Sequence, residues 1–204
     1  MTAAKHACLL LVGRHRGVNV ALLVRKRGGE RKLMVPGGLR ETRQKRVESP
    51  DGIATAFREF AEEVLGESKL RAPACGRALR AKASSLRGPC GRHDSEHKAF
   101  VALATDLFDS IEAAYNAFRP NGEASAAVLV ALDGLDGSET TVTDVYGSKH
   151  ALRDRLGEQR LIAARELLRG PGRRLNEPAA GPSRGNLDLG KLARERESRR
   201  WKPY

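Results

Sequence analysis

Arg58-Glu59-Phe60-Ala61-Glu62-Glu63 gathers the residue types of an ion-binding hydrolytic centre into one short run. If the segment from about Asp51 to Leu65 is a helix, turning about 100° per residue, Glu59, Glu62 and Glu63 stand together, because neighbours at i, i+3 and i+4 meet on a helix surface. Carboxylates so placed repel one another unless a cation sits among them. A hard divalent ion such as Mg²⁺ fits that need, since it takes oxygen ligands and keeps positions for water and substrate phosphates. The competing reading is a solvated acidic face, the usual fate of a charge run.

The helix needs an anchor. Ile53, Phe57, Phe60 and Val64 fall on one narrow face beside the acids, an apolar stripe suited to a core. Ser49 is expected as the cap, with Pro50 at the first helical position and Asp51 complementing the dipole. Gly66 supplies a left-handed end. Upstream, Leu33-Met34-Val35 reads as a short strand that delivers Pro36-Gly37-Gly38, a sharp turn where backbone can approach the site. The following insert, Leu39 to Val47, carries Arg40, Arg43, Lys45 and Arg46, which either grip phosphates or face solvent.

Around this centre the apolar runs His6 to Val12 and Val18 to Val24, separated by Gly13-Arg14-His15-Arg16-Gly17, predict a hairpin. Ser68 to Asp94 lacks clear periodicity and is read as a strand or two with an exposed loop. Lys98 to Thr105 is a strand, Leu107 to Phe118 a helix, Ala126 to Leu132 a further strand, and Lys149 to Leu168 a long helix. Asn121-Gly122-Glu123 forms the turn before the later strand. The pattern is α/β.

Pro-Gly-Gly after an apolar run, then a helix bearing Arg-Glu-apolar-x-Glu-Glu, resembles the signature of the Nudix hydrolases over Pro36 to Gly66. The resemblance implies an α/β/α sandwich with a mixed central sheet. It further implies that Glu59, Glu62 and Glu63 bind Mg²⁺ or Mn²⁺, that Arg58 braces them, and that Gly38 contributes backbone. The family carries another glutamate at the place held here by Pro50, with Glu48 slightly further upstream. A polar loop before a late strand supplies an acid in such proteins, and Glu123 matches it. Within the family, His6-Ala7-Cys8, the Pro-Gly-Gly loop followed by Glu41-Thr42-Arg43-Gln44, and the strand after Glu123 are similar to the branch that hydrolyses inosine diphosphate and decaps RNA. Decapping Nudix enzymes of large DNA viruses are similar too. Where that branch sets an imidazole and phenyl rings around a purine, Leu9, Val35 and Leu39 stand here. Substrate-binding candidates are Arg40, Arg43, His6 and Gly37.

A chain of 204 residues with 40% hydrophobic residues suffices for one domain with a real core, taken as residues 1–169. A net charge of +12 points to a polyanionic partner, nucleic acid first. Residues 170–204 shift to Gly, Pro, Arg and Asn, as expected of a basic, flexible tail. Trp201 and Tyr204 there suit base stacking, or the tail merely aids solubility. Cys8, Cys75 and Cys90 show no disulfide framework and suggest a reducing compartment, cytoplasmic or nuclear. Cys75, Cys90, His93 and His97 lack the close cysteine pair of a zinc knuckle. No apolar run is long enough for a membrane span, and the start lacks the features of a signal peptide. Oligomeric state is left open.

The chemistry that fits is attack of water on a phosphoanhydride, with either Glu63 or Glu123 as the base. Three readings stand: a pyrophosphohydrolase acting on the RNA 5′ cap, one acting on nucleoside diphosphates or diphosphoinositol polyphosphates, and a non-catalytic RNA-binding module.

Overall fold

The computed structural model describes residues 3–27, 31–42, 48–91 and 96–170. Arg43, Lys45, Arg46, His93 and the tail after Gly170 lie outside the described residues. In chain order the elements are β1 (His6–His15), β2 (Val18–Lys26), β3 (Leu33–Met34), β4 (Gly37–Leu39), α1 (Ile53–Glu63), α2 (Ala72–Lys82) and β5 (Arg87–Cys90). Then follow β6 (His97–Leu103), α3 (Ala104–Leu107), α4 (Ile111–Asn116), β7 (Ala124–Ala131), β8 (Thr141–Thr143), β9 (Lys149–Ala151) and α5 (Glu158–Arg169).

The sheet runs β3-β2-β1-β6-β5, with β4 also paired to β1 and β7 to β2. β1 and β6 are parallel while the other pairs are antiparallel, so the sheet is mixed. β1 explains the layering. Its side chains alternate, Ala7, Leu9 and Leu11 joining Phe57 and Phe60 of α1 and Val64 just after it, while Cys8, Leu10 and Val12 join Leu161, Ala164 and Leu167 of α5. A strand covered on both faces must be apolar throughout, which is why His6 to Val12 shows no polar alternation. The fold is an α/β/α sandwich with a mixed sheet, α/β as the residue pattern predicts and layered as the resemblance implies. Among the described residues no helix is long and apolar enough to cross a membrane.

α1 carries the site and packs as its stripe requires: Phe57, Phe60 and Val64 are fully buried and Ile53 lies at the edge of the same cluster. Burial of each large side chain contributes about 2 kcal/mol. Its start differs from expectation. Ser49 does not cap it; residues 50–52 form a turn in which the Ser49 carbonyl accepts from Gly52 N–H at 3.2 Å. Gly52, at φ 82°, becomes the residue before the helix, and Asp51 Oδ1 accepts from Ile53 N–H at 2.8 Å. Gly66 does adopt the left-handed conformation, at φ 68°.

Within residues 68–91, the described part of this stretch, the expected strand is the short β5, but the longer element is the helix α2, which the residue pattern does not predict. α2 buries Ala72, Gly76 and Leu79, and with one large side chain among them the face leaves almost no hydropathy signal. A Cβ on Gly76 would lie 2.9 Å from Arg58 N and 3.0 Å from Phe57 O, so α2 presses directly on α1. Of the expected helix over Leu107 to Phe118 only Ile111–Asn116 is helical beyond Leu107, as α4, started by Ser110, whose hydroxyl accepts from Ala113 N–H at 3.1 Å; α3 takes the end of the strand expected to reach Thr105. Only the second half of Lys149 to Leu168 is helical; Lys149–Ala151 pairs with β8, and Gly157 at φ 80° precedes α5.

Candidate active site

Gly37 and Gly38 belong to β4, so this stretch is strand where a turn is expected, yet its backbone does approach the acids. Gly37 N–H donates to Glu63 Oε2 at 2.9 Å. Opposite Gly38, a Cβ would stand 2.3 Å from the Glu59 carboxylate, and one on Gly37 would stand 2.4 Å from Cys8 Cβ. Any larger residue at either position would displace a strand or an acid.

The acids are not a solvated face. Glu59 and Glu62 are each 7% exposed and Glu63 is 2% exposed. Oxygens of Glu59, Glu63 and Glu123 lie within 4.8 Å of one another, a grouping that could hold a metal ion. Glu62 turns instead to Arg58, whose Nη1 donates to Glu62 Oε1 at 3.0 Å and lies 2.8 Å from Glu59 Oε1. Arg58 Nε donates to Glu48 Oε1 at 2.7 Å and Nη2 to the Leu39 carbonyl at 2.8 Å. Glu48 Oε2 accepts from Thr55 Oγ1 at 2.8 Å and from Glu41 N–H at 2.9 Å. The guanidinium is thereby used on every side.

Burial drives the electrostatics. It pushes the Glu63 carboxyl up to about 8, the Gly37 hydrogen bond resisting and Glu59 adding repulsion. It pushes Glu59 up to about 7, Arg58 opposing and Glu62 reinforcing. Burial acts on Glu48 in the same sense, but the Arg58, Glu41 and Thr55 hydrogen bonds outweigh it and hold that carboxyl below its ordinary range. Arg58 is raised above its ordinary value despite burial, by Glu48 and Glu59. A buried cluster whose carboxylates resist ionisation is the environment in which a divalent cation gains most from binding. The oxygen-only donor set suits Mg²⁺ or Mn²⁺.

Two contacts here escape sequence reasoning. Glu48, slightly too far upstream for the place the resemblance assigns, still reaches Arg58, its backbone N–H donating to the Glu41 carbonyl at 3.0 Å and its carboxylate accepting from Thr55. Asn121 is legible only as a turn residue, yet its Nδ2 donates to the Glu62 carbonyl at 2.7 Å while its Oδ1 accepts from Glu123 N–H at 2.7 Å. It fastens the end of α1 to the loop bearing Glu123.

The acids form one wall of a cavity of about 1250 Å³. His6, Gly37, Gly38 and Arg40 line it, whereas Arg43 lies outside the described residues. Val35 and Leu39 line it too. Leu9 does not, being buried beneath α1 by the parity of β1. Cys75, Cys90 and His97 form no metal-ligand grouping among the described residues.

No family model matches the chain, and no curated protein matches it. Among solved structures, the chain is similar to a NUDIX hydrolase from Alicyclobacillus acidocaldarius, at 17% identity and TM-score 0.39, over 65% of this chain and 81% of that one. It is similar to the NUDIX domain of Shewanella oneidensis NrtR, solved with ADP ribose, at 14% identity and TM-score 0.36, over 65% and 75% of the two chains. A MutT/nudix family protein from Enterococcus faecalis is similar at 12% identity and TM-score 0.39, over 78% of this chain and 56% of that one.

Proposed function

We propose that this protein is a metal-dependent Nudix pyrophosphohydrolase that cleaves a phosphoanhydride in a nucleotide-linked substrate, the RNA 5′ cap foremost. The observation that carries the reading is the convergence of Glu59, Glu63 and Glu123 within 4.8 Å of one another, on the wall of a cavity large enough for a nucleotide. Those residues would hold Mg²⁺ or Mn²⁺, which when bound neutralises phosphate charge and lowers the pKa of a water molecule. Arg58, fixed by Glu48, holds Glu59 and Glu62 in place and keeps a positive charge beside them. The Gly37 amide fixes one Glu63 oxygen. Glu63 and Glu123 both border the space where water must lose its proton, and either serves as base. The net positive charge favours a polyanion such as RNA.

Incubation with Mg²⁺ or Mn²⁺ and a panel of capped RNA, nucleoside diphosphates and inositol pyrophosphates tests this reading. Release of m⁷GDP that is lost in Glu63→Gln supports decapping. Cleavage confined to small molecules moves the substrate to that class, and RNA binding without products from any substrate removes the enzymatic reading.

A further inference from the structure

Away from the acids, the same cavity runs to a cluster of imidazole and guanidinium nitrogens. His6 of β1 is in register with His97 of β6, their ring centroids 5.2 Å apart and their planes tilted by 34°. Arg153, just after β9, and Arg160, in the first turns of α5, line the wall beside them. Both arginines are near enough to His6 to act on it electrostatically, and Arg160 acts similarly on Cys8 and Cys90. Neither guanidinium forms an ion pair or side-chain hydrogen bond with another described residue, in contrast to Arg58. Asp154 is the acid at this end of the cavity, and it pairs with neither of them.

Two guanidiniums without such partners among the described residues, set beside a cavity, offer planar forks of donors, which match phosphate oxygens. His6 adds a nitrogen without adding repulsion, since burial and the neighbouring His97 keep its imidazole below its ordinary pKa. We infer that His6, His97, Arg153 and Arg160 form a second subsite, for a phosphate that the substrate carries in addition to its scissile pyrophosphate. The inference rests on the hydrolase reading above. It narrows the substrate class to pyrophosphates with a further phosphomonoester or phosphodiester on the half bound away from Glu123. The source is either a phosphate on a small nucleotide or the next linkage of an RNA chain.

Kinetics on two matched pairs test it: ADP-ribose against ADP-ribose 2′-phosphate, and GpppG against GpppGpG. In the wild type the phosphorylated member of one pair shows a KM lower by about tenfold, the worth of a charge-assisted contact. Which pair responds identifies the source. In Arg153→Gln/Arg160→Gln the ratio of the two KM values falls toward one, while Arg153→Lys/Arg160→Lys retains part of it. Equal KM values within both wild-type pairs, or an undiminished ratio in the Gln variant, overturns the inference. A metal-free arm is independent of turnover: calorimetric titration with adenosine 3′,5′-bisphosphate in EDTA. Binding weakened by about tenfold or more in the folded Gln variant supports the subsite, and an unchanged or undetectable wild-type affinity refutes it. If neither pair is cleaved, the hydrolase reading is decided by the wider substrate panel above, and the calorimetric arm alone decides the subsite.

Discussion

Arg58 and Glu48 are joined by an Nε to Oε1 contact of 2.7 Å, with both side chains largely removed from water. Removing one charge from such a pair leaves the other buried without its partner. Glu48→Gln is therefore expected to destabilise the fold by about 3 kcal/mol, read as a lower urea midpoint with an unchanged slope. An unaltered midpoint means that the contacts of Glu48 with Arg58 and Thr55 do not hold α1 in place.

Stability should depend on pH in the sense opposite to ordinary salt-bridged acids. The folded carboxyls of Glu63 and Glu59 are raised from 4.5 to about 8 and about 7. Their contribution is thus complete below pH 4.5 and lost as pH rises through 7 to 8. The metal-free protein should melt at progressively lower temperature across that window, losing a few kcal/mol. Glu63→Gln should flatten the profile. Added Mn²⁺ should stabilise more at the alkaline end, where fewer protons must leave. Melting temperatures by calorimetry decide it, and a metal-free curve that rises over this window contradicts the picture of buried, crowded acids.

Under the proposed hydrolase reading, Asn121 is a positioning residue that holds the backbone of Glu123. Asn121→Ala removes both the bond to the Glu62 carbonyl and the acceptor for Glu123 N–H. The expected result is a loss of about 1–2 kcal/mol in stability, from those hydrogen bonds. The half-saturating concentration of Mn²⁺ should rise, with kcat falling more than KM changes. A variant with lower stability but wild-type metal dependence would leave Asn121 a purely structural residue.

Gly38→Ala places a methyl group where the Glu59 carboxylate stands, 2.3 Å away. Overpacking of this kind costs about 1–3 kcal/mol, or moves the acid. Weaker metal binding, measured by titration calorimetry, is the expected outcome even where circular dichroism shows an intact fold. Gly122→Ala serves as the comparison, since a Cβ there meets nothing within 4 Å.

Long apolar runs made β1, β2, β6 and β7 readable, because both faces of the central strands are covered. The Phe57, Phe60 and Val64 stripe made α1 readable as well. Other elements were hidden for identifiable reasons. α2 packs through Ala72 and Gly76, and small residues show no stripe. In Lys149 to Leu168 the spacing of leucines suggested one helix, but Leu152 and Leu156 are buried from the irregular chain before α5. At the site, the closeness of Glu59 and Glu63 follows from helical spacing alone. The turning of Glu62 toward Arg58 and the arrival of Glu48 depend on tertiary contacts that spacing does not encode.

The parallel pairing of β1 with β6, which sets His6 beside His97, and the antiparallel pairing of β2 with β7 have a bearing on biosynthesis. The first strands leave the ribosome early but must wait for partners made much later, and such distant closure is slow. The acids from α1 meet Glu123 only when the neighbouring strand has taken its place. A nascent or truncated chain ending before β7 would consequently be inert and sticky, its exposed strand edges better suited to chaperones than to chemistry.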